Sequence, residues 1–244
     1  MEFTFYGDLI GMKSIYSNDP MKAYQTLNEF YNTCFNIIPD QKINNCDMQT
    51  YMFSDSILLT GNNIVNDLPT IQKLYLRLLS KSTIMLRGAI VSGKLNFDPR
   101  IERSSFKKML PIGTELVRAI SLEGQYKGAR LIIENKLAEE LLDEARDWKT
   151  ISGYVNNLTG DNYIPKNDFR RRIIPVPEGG AYEYLYFWEL DNVNSLQNLF
   201  HKDIEDKLSE IEKYMDTNKA RHYSETLNLL KRSLNRKKYT ETRL

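Results

Sequence analysis

The order in which apolar patterns change along the first 95 residues constrains this 244-residue chain more than any other feature. Residues 2–9 read as a strand rich in Phe, Thr and Tyr. Over residues 20–38, Met21, Tyr24, Leu27, Phe30, Tyr31, Cys34 and Phe35 recur at helical spacing. After the polar stretch PDQKINNCD, the segments MQTYMF and SILLTG read as two strands joined tightly around Ser54–Asp55. Leu68 to Leu79 reads as a second amphipathic helix, and IMLRGAIVSGKL as a strongly apolar strand. The predicted order is β-α-β-β-α-β.

That order is the split arrangement in which the first and third strands lie side by side at the sheet centre. The pattern then continues with GTELVRAISLEG, a helix closed by Gly124, the short strand ARLIIE and the helix KLAEELLDEAR. Residues 147–180 read as loop, including the basic run FRRR. YEYLYFWEL reads as a late, well-buried strand, residues 194–236 as two charged amphipathic helices, and RKKYTETRL as a frayed tail. The expected fold class is α+β, a ferredoxin-like βαββαβ core with extra strands and C-terminal helices. The expected organisation is a core domain over 1–190 and a helical extension over 191–244 packed on it.

Composition narrows the function. A formal charge of +1 and the small patch FRRRIIPVP argue against nucleic-acid binding. No apolar run reaches membrane-spanning length, so no membrane insertion is expected. Cys34 and Cys46 have no metal or redox spacing and read as reduced thiols of a cytoplasmic protein. The two histidines, His201 and His222, lie in the polar C-terminal part, which disfavours histidine catalysis or a zinc site.

The first strand ends on a carboxylate, Asp8, before the turn Leu9-Ile10-Gly11-Met12. Asp55 stands at the hairpin that opens the third strand. If those strands are neighbours, both carboxylates reach one sheet edge. Two close carboxylates repel unless a cation lies between them. Mg²⁺ or Mn²⁺ suits such hard oxygen ligands and recruits substrate phosphates to complete its shell. Backbone N–H groups of Leu9, Ile10, Gly11 and Met12 would then face phosphate. The plainer alternative, two turn residues capping nearby backbone, stays open on pattern alone.

In this order and spacing, FTFYGDLIGM, TYMFSDSILL, LRGAIVSGKL and PIGTELVRAISLEG resemble the blocks of class III nucleotide cyclase domains, over roughly residues 2–134. The resemblance implies that Asp8 and Asp55 are the metal ligands, with two Mg²⁺ or Mn²⁺ ions per site. It also implies that the helix containing Val117 and Ser121 crosses a dimer interface. The chain departs from adenylate and guanylate cyclases at three places. Tyr51 stands at the purine-reading Lys or Glu position, four residues before the second metal Asp. Val117 and Ser121 replace the interface Asn and the transition-state Arg. An aromatic base site and an altered interface helix are similar to the Pycsar-type pyrimidine cyclases of bacterial anti-phage defence, which are stand-alone, cytoplasmic domains.

The resemblance therefore implies a homodimer with sites at the interface, converting UTP or CTP to the 3′,5′-cyclic monophosphate and pyrophosphate, with UTP favoured. The nucleotide's own 3′-hydroxyl attacks, so no protein nucleophile is needed. Tyr51 is expected to meet the pyrimidine. The cation at the phosphates is expected to be Arg118, one position from the family's Asn, with Arg130, Arg87 and the run 170–172 as further candidates. No sensor segment precedes the first strand, so control is expected from the C-terminal part, a partner or a phage-derived signal. The competing reading is a catalytically silent nucleotide-binding or regulatory module. A diguanylate cyclase is disfavoured because the hairpin reads Phe53-Ser54-Asp55-Ser56 rather than Gly-Gly-acidic.

Overall fold

A computed structural model describes residues 1–38, 47–82, 84–97, 111–143, 172–186, 205–206, 208–210 and 217–241. The strands are β1 (Phe3–Leu9), β2 (Gln49–Phe53), β3 (Ser56–Gly61), β4 (Leu86–Ser92), β5 (Asn96–Phe97), β6 (Pro111–Ile112), β7 (Leu131–Ile133), β8 (Ile173–Pro175) and β9 (Tyr182–Tyr184). The helices are α1 (Met12–Asn18), α2 (Pro20–Ile37), α3 (Ile64–Ser82), α4 (Thr114–Gln125), α5 (135–143) and α6 (Thr217–Glu241). Seven strands form one sheet in the order β2-β3-β1-β4-β7-β9-β8, while β5 and β6 pair separately. β1 is antiparallel to both β3 and β4, as the split arrangement requires, and the β4–β7 pair is parallel.

Alternation along β1 sorts its side chains. Phe3, Phe5 and Leu9 are buried in the main core with residues of α2, α3, α5 and α6, and each such burial contributes about 1.5–3 kcal/mol. Thr4, Tyr6 and Asp8 take the opposite face. Gly7 and Gly88 are register partners across β1 and β4. A Cβ on Gly88 would stand 2.6 Å from the Phe5 ring and 2.7 Å from the Tyr6 carbonyl oxygen. The glycine pair thus makes room for Phe5, whose ring meets Tyr75 edge-on at 6.3 Å. On the other face α4 packs over β1 and β4 and buries Ala119 and Glu123.

Several elements differ from the sequence pattern. Of the apolar residues read along 20–38, Phe30 and Cys34 are buried with Ala23 and Thr33, while Met21, Tyr24, Tyr31 and Phe35 are exposed. α2 begins where Asp19 accepts a hydrogen bond from the Lys22 N–H at 2.9 Å, with Pro20 in the first turn. α3 starts four residues before Leu68, because Asn63 O accepts from the N–H groups of Asn66 and Asp67 and nucleates a turn ahead of Pro69. The loop expected over 147–180 contains β8, a three-residue edge strand ending on Pro175, held by β9. Arg170 and Arg171 of the basic run lie outside the described residues, as does the last part of YEYLYFWEL. The first of the two expected C-terminal helices also lies largely outside them, and α6 runs to Glu241 rather than fraying at Arg236. Leu227, Leu229 and Leu230 of α6 belong to the main core, and Ala129 N–H donates to Thr226 Oγ1 at 2.8 Å.

Candidate active site

Asp8 is the penultimate residue of β1, in register with Ser56 on β3 and Arg87 on β4. Asp55 lies in the two-residue turn between β2 and β3, where Ser54 takes a left-handed φ of 53°. The Leu9 N–H donates to the Asp55 carbonyl at 3.0 Å, which fastens this turn to the end of β1. Ser56 Oγ donates to Asp8 Oδ1 at 2.8 Å, and the Tyr6 hydroxyl lies 3.1 Å from Ser56 Oγ. Burial raises the Asp8 carboxyl above the ordinary carboxylate range. The Ser56 hydrogen bond pulls it down, the Asp55 charge pushes it up, and Arg87 pulls it down. The two carboxylates therefore share one electrostatic environment at one sheet edge.

This donor set fits a divalent cation. Two carboxylates without a third His, Cys, Asp or Glu are too few to cage a metal, and no such group of three occurs among the described residues. They suffice for a hard ion that keeps waters and completes its shell with phosphate oxygens.

The remaining expected residues divide. In the turn Leu9–Met12, the Leu9 N–H is taken by Asp55 and the Ile10 N–H by the Met85 carbonyl at 2.9 Å. Both are therefore corrected as phosphate donors, because their N–H groups already build the fold. Gly11, at φ 89°, and Met12 begin α1. Tyr51 lies on β2 opposite Leu58, donates its hydroxyl to Gln49 Oε1 at 3.0 Å, and packs against Phe97 at 4.5 Å between ring centres.

Arg118 is held by Glu134, by the Ser92 carbonyl at 2.6 Å and by Glu115. Ser92 pairs with Phe3, five residues along β4 from the Arg87–Asp8 pair, or roughly 17 Å of strand. One chain therefore does not bring Arg118 to its own Asp8. Any role at phosphates would be played toward a second chain's carboxylates.

Arg130 is corrected. Its side chain has 0% exposure, bonds Glu183 at 2.8 Å and Glu178 at 3.0 Å, and stacks over Tyr126. It anchors β9 and the turn before it rather than facing a substrate. Val117, Ile120 and Ser121 are exposed on α4.

Three residues near Asp8 carry no motif in the sequence. Tyr6 was legible through the two-residue period of β1. Ser56 follows from the β1–β3 register, and Glu123 becomes visible only once α4 is laid across β4, where it pairs with Arg87.

No protein-family model matches the chain, and no curated protein sequence does. Solved structures do. The guanylyl cyclase Cya2 is 13% identical, with 75% of this chain and 89% of that one covered at a TM-score of 0.45. The adenylyl cyclase CyaB from P. aeruginosa is 13% identical, with 58% and 80% covered at 0.43. A monomeric adenylate cyclase from Trypanosoma brucei is 9% identical, with 76% and 89% covered at 0.49. These likenesses concern the fold.

Proposed function

We propose that the protein is a nucleotide cyclase. The observation that carries the reading is the Asp8–Asp55 pair, brought to one edge by the β1–β3 register and by the Leu9–Asp55 hydrogen bond. The reaction is intramolecular. The ribose 3′-hydroxyl gives up its proton to solvent as its oxygen forms a bond to the α-phosphorus, the bridging bond to the β-phosphate breaks, and pyrophosphate leaves with the electron pair. Asp8 and Asp55 would hold Mg²⁺ or Mn²⁺, two ions per site, which supply Lewis-acid polarisation of the phosphates and a more acidic 3′-hydroxyl. Ser56 fixes the orientation of Asp8. The Gly11 and Met12 N–H groups remain as phosphate donors at the mouth of the turn.

The finer reading is a pyrimidine nucleotide cyclase acting on UTP, or CTP, as a cytoplasmic homodimer that signals in anti-phage defence. Tyr51 supports it, since an aromatic stands where purine cyclases place a Lys or Glu, and its ring offers a stacking face beside Phe97. Exposed Val117 and Ile120 on α4 support the shared interface, toward which Arg118 would present its charge. Residues 1–190 would form the catalytic unit and 191–244 the extension. No helix among the described residues is long and apolar enough to cross a membrane.

One observation favours a second reading. Val117 and Ser121 offer no polar pair to a transition state, as expected of a silent nucleotide-binding module. Incubation with Mn²⁺ and ATP, GTP, CTP or UTP separately, followed by mass detection of cyclic monophosphates, decides. A cyclic pyrimidine product that disappears in Asp55→Ala supports the cyclase. No cyclic product from any of the four favours the silent module or a missing activator.

A further inference from the structure

Arg87 is the cross-strand partner of Asp8 and occupies the same sheet face. Side chains so placed have Cβ atoms about 4.5–5.5 Å apart, which leaves a guanidinium within reach of the carboxylate. Yet the ion pair that Arg87 makes is with Glu123 of α4, through Nε and Oε1. The Glu123 side chain is only 5% exposed, so this partner is fixed inside the α4–β4 contact. The side-chain hydrogen bond to Asp8 comes from Ser56 alone among the described residues.

We propose that Glu123 holds Arg87 off Asp8 and so keeps that carboxylate open to a divalent cation. The inference rests on the metal reading above. An arginine fork matches a carboxylate in two parallel hydrogen bonds. Released from Glu123, it would cover the lone pairs that a metal needs and cancel the charge that attracts it. Asp8, Asp55, Glu123 and Arg87 together carry three negative charges and one positive, a net of −2. Removing Glu123 halves that charge as well as freeing the competitor. Arg87 and Glu123 are thus positioning residues that act through Asp8.

The test uses the full chain without nucleotide and Mn²⁺ alone as the probe, with free Mn²⁺ read by electron paramagnetic resonance. Glu123→Gln, which removes the charge that holds the guanidinium away from Asp8, should weaken Mn²⁺ binding about 10- to 100-fold, the scale on which groups behind a metal's own ligands act. Arg87→Gln should bind at least as tightly as the parent chain. The double variant should recover most of the loss, because no guanidinium is left to compete. Parent-like binding by Glu123→Gln, weakened binding by Arg87→Gln, or a double variant no better than Glu123→Gln would each overturn the proposal. A parent chain whose Mn²⁺ binding is absent, or indistinguishable from that of Asp8→Ala, would overturn this inference, and the metal reading with it if the same holds when a nucleoside triphosphate is added to supply phosphate oxygens.

Discussion

Replacing Glu183 by Gln should cost the fold far more than replacing Glu178, although both acids bind the same arginine. Glu183 has no exposed side-chain surface and accepts from Arg130 Nε at 2.8 Å and from Arg232 Nε at 2.8 Å. Glu178 is 49% exposed, and its two contacts to Arg130 are at 3.0 and 3.4 Å. Glu183→Gln keeps the shape and removes the charge, so the buried Arg130 retains only a solvent-screened partner. Breaking a buried pair from one side costs about 3–5 kcal/mol. For a chain of this size each kcal/mol moves the melting temperature by about 2–4 °C, which gives a fall of about 6–20 °C. Glu178→Gln removes a partly exposed pair worth about 0–1 kcal/mol, a shift of no more than about 4 °C. Thermal unfolding followed by circular dichroism at pH 7 separates these values. Equal shifts for the two variants would refute the argument. So would a Glu178→Gln chain that melts normally but has lost nucleotide turnover, since Arg130 would then be facing substrate.

Asp8→Asn should abolish cyclic product while raising the melting temperature at neutral pH. The folded chain holds the Asp8 proton more tightly than the unfolded chain does, so the ionised carboxylate costs stability above its ordinary range. The activity loss should be about 100-fold or more, the scale of losing one charge-stabilising group. Asp67, buried at the start of α3 with Oδ2 unpartnered, is pushed up to about 6 by burial and then by Asp47. Stability should therefore fall as pH rises from the ordinary carboxylate range to about 6, and Asp67→Asn should flatten that slope and gain about 1–2 kcal/mol at pH 7 in urea titrations. Gly88→Ala should cost about 1–3 kcal/mol in the same assay, because its Cβ would meet the Phe5 ring and the Tyr6 carbonyl; a neutral result would mean that Phe5 repacks freely.

The strand order of the core was legible because its signals are local. β1, β3 and β4 announce themselves by apolar content, the hairpin by Ser54–Asp55, and the topology follows from their order. Asp8 and Asp55 were legible for the same reason, each ending or opening a recognisable strand. The arginines were not. Arg87, Arg118 and Arg130 look alike in sequence, and what separates them is the acid each one finds. Those acids are Glu123, Glu134 with Glu115, and Glu183 with Glu178, up to 53 residues away. The helical stripe of α2 misled because its period was real while its width exceeded what one sheet face covers. Met21, Tyr24, Tyr31 and Phe35 therefore extend the pattern into solvent. β8 was hidden because three residues ending in Pro carry no period of their own.

The central place of β1 also governs how the chain is made. Its two neighbours are synthesised after it: Asp8 pairs with Ser56 and with Arg87, and Phe3 with Gly61 and Ser92. On a ribosome adding about 5–20 residues per second, both edges of β1 stay unpaired for seconds after it emerges. During that interval Phe3, Phe5 and Leu9 form a bare apolar ladder, the kind of edge that recruits other chains. Gly7 interrupts that ladder between Phe5 and Leu9, so the residue whose missing side chain later makes room for the Phe5 ring also thins the apolar face that the nascent chain presents.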